Sequence, residues 1–596
     1  MRNSPRLIAL CAVCMGATVM LLSASAARAQ EVVVDTQIHD DPKIPVALIV
    51  KVMPKGLLEL WLQALARPEN DLKRLAAAAI AQAHQRRLPG LEPAITPLMQ
   101  TLDLPQVDLS VRLAAAQALI ELDARQATAL LFAHSQKDGI DMLNLVEPVL
   151  ARWGYEPIKA IWLERISKPG LAGRTWVVAM QGLAELHEVK AIPRLRELIY
   201  SPLTDPIIGV EAARALGVLQ KSGLEQDAEL LAAIPVEPGD VAHLESAYLL
   251  RMHRSEAAAK IQERLALRSE PTAALIALQG LLEFDPKRIL GLLTQLTISR
   301  DPGIRTVLIS AFSRQPTIQS VSHIADLMDD PHPAVRNAAR RSLANVAEKA
   351  EFREAIRTQL TRLLASNQWR AIEQAIYLVE KLHFKPAAQR VVQLLQYERP
   401  EVFVTAAWCL RKLALPDTYA AQLKEIDRRW QQSSTRDVRY PRKQVGEQLA
   451  QLCESLGQAH YAAAIPALER FVPKSATRRV GIPAREAAIW SLGILLQKTP
   501  PEKLVTDLVA RLTDLEPLDP ENTDVRTMCA ITLGRMKAKA AADDLQSCFP
   551  RRMSTALLPN ACGWAMEQIT GQKSQLADPV QAIERGWFME PIRKDN

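Results

Sequence analysis

The stretch Asp330-Pro331-His332-Pro333-Ala334-Val335-Arg336-Asn337-Ala338-Ala339-Arg340-Arg341-Ser342-Leu343 holds a helix end, a helix start and one packing face. An Asp side chain caps the free N–H groups of a helix start, and Pro is tolerated in the first turn, where its missing N–H has no partner to lose. Ala339 and Ser342 follow Arg336 by three and six places and so share one helical face. Small side chains there let a neighbouring helix approach closely, and Leu343 beside them fills the contact.

The same shape recurs. Asp108-Leu109-Ser110-Val111-Arg112 is followed by Ala115, Ala118 and Leu119, and Asp301-Pro302-Gly303-Ile304-Arg305 by Leu308, Ala311 and Phe312. Arg485 leads to Ala488, Ser491 and Leu492, and Asp524-Val525-Arg526 to Cys529, Thr532 and Leu533. Weaker copies without the Arg stand at Gly182-Leu183, Ala215-Leu216, Gly280-Leu281 and Cys409-Leu410. One anchor per copy gives positions 81, 119, 150, 183, 216, 250, 281, 312, 343, 379, 410, 456, 492, 533 and 566, mostly 31–38 residues apart. Longer gaps after 410 and 492 mark insertions. A period of this size is that of a helical solenoid, in which each helix pair buries its apolar face on its neighbours.

The pattern resembles the HEAT-repeat family, a stack of antiparallel helix pairs joined by turns containing Asp and Pro. The resemblance implies an all-α fold, an α-solenoid superhelix of about 14–15 HEAT-like pairs. Armadillo repeats need a third helix and a longer period, and the tetratricopeptide signature is absent. The chain then divides into a signal peptide at 1–29, an extended lead-in to the first pair at 30–56, the solenoid at 57–571 and a capping segment at 572–596. The insertions fall near 416–443 and 513–524. Pro42, Pro45 and Pro54 bar a long helix from the lead-in. Asp578-Pro579 is expected to start a short helix whose Val580, Ile583, Trp587 and Phe588 seal the last repeat.

Composition agrees. At 596 residues the chain is too long for one core, which stops growing near ~250–300 residues. With 48% apolar and 23% charged residues it is neither disordered nor low-complexity, and 23 glycines are too few for a Gly-rich β-sandwich.

The first residues read as an export signal: Arg2 and Arg6, the apolar run Leu7 to Leu22, then Ala27-Arg28-Ala29 with cleavage expected before Gln30. No later run is long and apolar enough for a spanning helix. The signal takes three of the 73 Lys and Arg, leaving 70 against 66 acids, a net +4. So small an excess excludes a nucleic-acid footprint, and no nucleic-acid partner is expected. Five cysteines remain in the exported chain: Cys409, Cys453, Cys529, Cys548 and Cys562. Cys409, Cys529 and Cys562 fall at or near anchor positions, where a small apolar thiol suits a core. Cys548 and Cys562 are near enough in sequence to bridge two helices, although free thiols are the expectation.

No catalytic motif is found. H-E-x-x-H, G-x-x-x-x-G-K-[ST], G-x-S-x-G, S-x-x-K and C-x-x-C-H are all missing, so no catalytic residue, metal or cofactor is assigned. The single His187-Glu188 cannot build the di-iron site that the deoxyhypusine hydroxylase branch of HEAT-like enzymes makes from repeated His-Glu pairs. A HEAT-like DNA glycosylase fits poorly with export. A bilin-lyase-like enzyme with dispersed active-site residues stays as the alternative to a non-catalytic, protein-binding scaffold acting outside the cytoplasm.

Four clusters are candidates for contact. The basic insertion carries Arg428, Arg429, Trp430, Arg436, Arg439, Arg442 and Lys443, and suits an acidic protein partner or else a solvated loop. The repeated Arg112, Arg305, Arg336, Arg485 and Arg526 are read as structural ties to turn carboxylates or carbonyls rather than as an anion ladder. Asp514, Glu516, Asp519, Glu521 and Asp524 offer oxygens that suit calcium, or else form a solvated turn whose last Asp caps the next helix. Trp153, Tyr155, Trp162 and Trp176 read as core packing across adjacent repeats, with a partner pocket as the alternative.

Overall fold

The computed structural model describes residues 34–52, 54–168, 173–201, 203–235, 241–434, 442–497, 500–549, 555–573, 580–583 and 585–590. The signal segment lies outside them. Every one of the fifteen anchors falls in the second half of a helix. These are α1 (Asn70–Gln85), α2 (Leu109–Glu121), α3 (Ile140–Arg152), α4 (Gly173–Glu185), α5 (Pro206–Leu219), α6 (Ala242–Leu250), α7 (Pro271–Phe284) and α8 (Pro302–Arg314). They continue as α9 (Pro333–Val346), α10 (Trp369–Lys381), α11 (Pro400–Leu413), α12 (Arg442–Gln458), α13 (Thr477–Leu495), α14 (Thr523–Arg535) and α15 (Leu557–Thr570). Each follows a partner helix, from Leu57–Ala66 before α1 to Ala542–Cys548 before α15. The fold is an all-α solenoid of HEAT-like pairs.

The anchors work as their chemistry requires. Ala115, Ala118 and Leu119, like Leu308, Ala311 and Phe312, are fully buried. At Gly182 an added Cβ would fall 2.3 Å from the ring of Trp162, and at Gly457 2.4 Å from the Ser491 hydroxyl. Only a residue without a side chain lets those helices approach so closely.

Two compact units share the described residues. One takes residues 48–311 and 579–596; the other takes residues up to 47 and 312–578, so the boundary falls inside α8. In the first, α1 to α7 pack in succession, and in the second α9 to α15 do the same.

The second helices end in a common way. A residue with left-handed backbone stands four places after the anchor at Asp123, Gly154, His187, His383, Ala414, His460 and Lys537. At Asp123 the amides of Leu122, Asp123 and Ala124 turn back to the carbonyls of Ala118, Ile120 and Leu119. Such a turn stops the helix, satisfies its last carbonyls and reverses the chain.

Three expectations are corrected. Val580–Ile583 is not helical: it forms β2, paired in parallel with β1 (Ile49–Val52), from Ile49 opposite Val580 to Val52 opposite Ile583. The β-branched ends of that run favour pleated pairing over a short, isolated helical turn. The capping segment's Trp587 and Phe588, expected on the last repeat, instead meet the first pair. Trp587 lies 5.7 Å from Trp61 in the first pair, Arg86 stands 4.7 Å over its ring, and Trp61 Nε1 donates to the carbonyl of Phe588 at 2.7 Å. Finally, residues 35–41 of the lead-in lie on α11 to α14.

Candidate functional site

Arg428, Arg429 and Trp430 fall on the long helix Tyr419–Ser434, so much of the first insertion is extra helix rather than projecting loop. Arg429 is corrected as a contact residue, because its side chain is 1% exposed. It lies 2.9 Å from Glu425 Oε1, donates to the carbonyl of Leu395 at 3.3 Å, and covers the Phe403 ring at 4.6 Å. Arg428 is paired with Glu425, and Trp430 packs on Phe471 at 5.0 Å beneath Arg470 and Arg479. Arg442 and Lys443 stand exposed in the first turn of α12, while Arg436 and Arg439 lie outside the described residues.

The repeat arginines hold turns. Arg112 donates to the carbonyls of Leu104 and Pro105 in its own pair, both at 3.2 Å, and reaches Asp138 of the next pair at 3.2 Å. Arg485 does the same more deeply buried: it binds the carbonyls of Phe471 and Val472 and both carboxylate oxygens of Glu521, at 2.8 and 2.9 Å. Arg305 bonds the Ser299 carbonyl, Arg336 those of Asp330 and Pro331, and Arg526 that of Leu512.

In the acidic loop, the ammonium of Lys474 stands among Asp514, Glu516 and Asp519 at 3.2, 3.7 and 3.5 Å, while Glu521 pairs with Arg485. A protein cation thus sits in the middle of the cluster. Asn522, not Asp524, caps α14 by accepting from the amides of Asp524 and Val525. The cap falls two places earlier because the Asn522 side chain reaches both free amides, whereas Asp524 already lies inside the helix. Trp162 is fully buried, and its Nε1 donates at 2.8 Å to Glu147, which also takes both terminal nitrogens of Arg165. Tyr155 stacks on Phe132 at 5.2 Å, and Trp176 lies under Arg194. His187 is the left-handed turn residue after α4, a backbone role. Among the described residues, no group of three or more His, Cys, Asp and Glu side chains is placed to hold a metal ion.

The arrangement that sequence reasoning missed lies on the second helices. Trp408, Glu454 and Trp490 each stand two residues before an anchor, and Lys412, Gln458 and Arg535 each stand two after one. This shared register brings them to one face of α11, α12, α13 and α14. There they hold residues 35–41, a non-helical stretch with a turn over 38–40.

Asp35 is gripped from three sides. Its carboxylate accepts from Trp408 Nε1 at 2.6 Å, from Arg411 at 2.9 Å and from Lys412 Nζ at 2.7 Å. Burial opposes its ionisation, but the hydrogen bonds from Lys412 and Trp408 and the Arg411 charge outweigh it and hold the carboxyl below its usual range. Its main-chain carbonyl accepts from Arg411 at 2.8 Å and from Gln451 at 2.9 Å.

Glu454, fully buried and paired with Arg411 at 2.5 Å, accepts the Thr36 hydroxyl at 2.9 Å and the Gln37 amide at 2.8 Å. Gln458 donates to the Gln37 side chain, and Ile38 is 2% exposed. His39 faces Glu486 of α13 at 3.9 Å. The Asp41 carbonyl accepts from Trp490 Nε1 at 2.6 Å and from Arg535 at 2.7 Å, and Arg535 also pairs with the Asp41 carboxylate at 2.7 Å.

No known family model matches the chain, and no curated protein matches it in sequence. Among solved structures, it is similar to the karyopherin Kap121p bound to the extreme C-terminus of the protein phosphatase Cdc14p. That likeness has 12% identity and a TM-score of 0.49 over 87% of this chain and 57% of that one. It is similar as well to Kap95p in complex with RanGDP, at 13% identity and a TM-score of 0.49 over 86% of this chain and 72% of that one. The chain therefore spans a little over half the length of the Kap121p chain. Neither likeness assigns a site or an activity. The fold rests on the helix pairs themselves.

Proposed function

We propose that this chain is a non-catalytic scaffold that binds other proteins outside the cytoplasm, through the face formed by its second helices. One observation carries the reading: α11 to α14 present buried, hydrogen-bonding side chains that hold a non-helical stretch of polypeptide by its main chain and its side chains alike. Arg411, Gln451, Trp490 and Arg535 take carbonyls and Glu454 takes an amide. Contacts to main chain do not depend on one sequence, which is how a surface reads partner segments. Lys412 and Arg535 make the face suited to an acidic partner.

The compartment is inferred from Arg2, Arg6, the Leu7 to Leu22 run and Ala27-Arg28-Ala29. Among the described residues, no helix is long and apolar enough to cross a membrane. The non-catalytic reading rests on the missing motifs, and several buried reactive groups are already engaged. Glu147, Glu454 and Glu521 are all ion-paired, and burial pushes the thiols of Cys409, Cys453 and Cys529 up, the last to about 12.

The test is affinity capture by the purified mature chain from the exported fraction. A captured protein is then purified and titrated against the chain by calorimetry, with elemental analysis and activity panels on the same preparation. A saturable complex of defined stoichiometry supports the scaffold. Turnover, or a stoichiometric metal, without any such partner overturns it.

A further inference from the structure

We infer that the row Trp408, Arg411, Gln451, Glu454, Trp490 and Arg535 is a peptide-binding groove filled in cis by residues 35–41, which stand in for an acidic segment of the partner. This rests on the scaffold reading and sharpens it, naming the site, the ligand chemistry and a built-in competitor.

Four features of the groove say what it accepts. A cationic end at Arg411 and Lys412 takes one carboxylate, and a second at Arg535 takes another six residues further along. Between them, the pocket that buries Ile38 takes an apolar side chain. The main-chain contacts at Asp35, Gln37 and Asp41 accept any residue that can follow the same path. The ligand is thus a linear, non-helical segment with aspartates six apart around an aliphatic residue.

The fourth feature is the Arg411–Glu454 pair, with both side chains almost wholly buried. A buried ion pair contributes little stability beyond what apolar packing would give, because desolvating both charges offsets their attraction. Here the pair has a further use: both members also bond the segment, Arg411 to Asp35 and Glu454 to Thr36 and Gln37.

The occupant is set up to be exchanged. The side chains of Asp35, His39 and Asp41 are about half exposed, so the segment lies in an open groove and not within a core. Being tethered, it acts at an effective concentration in the millimolar range. A partner segment of the same chemistry must outcompete it, so occupation in cis raises the threshold for binding.

The test uses a fluorescein-labelled synthetic peptide of residues 34–44, titrated by anisotropy into three full-length mature chains. The first is wild type, the second carries Asp35→Ala and Asp41→Ala in its own segment, and the third adds Trp408→Phe and Lys412→Glu to the second. Trp408→Phe keeps an aromatic ring while removing the donor and part of the indole; Lys412 is partly exposed. The peptide is expected to bind the second chain at least about tenfold more tightly than wild type, because the competitor has been weakened. The third chain should lose about tenfold relative to the second, while its circular dichroism is unchanged. A peptide with Asp35 and Asp41 replaced by Asn should bind none of them. Equal binding to the first two chains, no binding to the folded second chain, or no loss in the third would each overturn the inference. So would concentration-dependent dimers of wild type that dissociate on adding peptide, which would make a second copy the occupant. A partner captured equally by wild type and the third chain would leave the scaffold standing and remove this groove as its site.

Discussion

At the scale of single residues, two titratable side chains give the sharpest expectations. Burial holds the Glu486 carboxyl up at about 7, with the Asp524 charge adding to the effect and Arg485 opposing it. A carboxyl raised in the folded state leaves stability intact below its unfolded value near 4.5 and lowers it as pH rises toward 7, by at most on the order of 3 kcal/mol. Glu486→Gln should therefore melt like wild type near pH 4.5 and at higher temperature than wild type above pH 7. A gap that does not vary with pH would contradict the assignment. Cys548, half-buried beside Cys562, is drawn down to about 6 by the hydrogen bond with that thiol and by the Arg526 charge, while Cys562 is pushed up. In native-state alkylation at pH 7, Cys548 should react first and the buried thiols Cys409, Cys453 and Cys529 last. Non-reduced mass mapping should show the peptides of Cys548 and Cys562 unlinked.

At the scale of elements, what the sequence discloses depends on whether one residue or a distant contact sets the structure. The second helices are legible because Ala118-Leu119, Gly182-Leu183 and Cys529 each combine a packing demand with a fixed spacing. Gly182→Ala tests that demand: the new methyl must displace Trp162, at a cost of about 1–3 kcal/mol. Hydrogen exchange should speed up in α3 to α5 and stay unchanged in α1 and α7, since repeats are stabilised mainly by their neighbours. Uniform loosening would argue against a repeat stack. The inter-pair turns are less legible. Their left-handed position is filled by Asp123, His187, His383, Ala414, His460 and Lys537, and of their seven residues only Gly154 advertises a positive φ. The strand Val580–Ile583 is only faintly legible, in its β-branched ends, because its pairing depends on an edge at Ile49–Val52, more than five hundred residues away along the chain.

At the scale of the whole molecule, periodicity alone yields the all-α solenoid of HEAT-like pairs, since fifteen anchors suffice to place fifteen second helices. The candidate site does not follow in the same way. Charge counting points to the basic insertion near 416–443, yet Arg429 is buried there on Glu425 and Phe403. The groove draws one to three residues from each of four helices, and its occupant is joined to them over more than 370 positions of sequence, as Asp35 to Trp408 illustrates. One signal was present: the register that places Trp408, Glu454 and Trp490 two residues before their anchors. Aromatic and acidic side chains repeated at that register mark a shared face, although nothing in the spacing says what lies on it.

The central claim, that α11 to α14 hold residues 35–41 as a bound segment, is tested most directly by hydrogen exchange at the Gln37 amide of the chain from Gln30 onward. That amide donates to a fully buried carboxylate in an otherwise open, non-helical stretch. In wild type it should exchange at least about tenfold more slowly than in the free 34–44 peptide, and in the Asp35→Ala, Asp41→Ala chain it should approach the free rate while α11 to α14 stay protected. Exchange of Gln37 at the free-peptide rate in wild type would contradict the account.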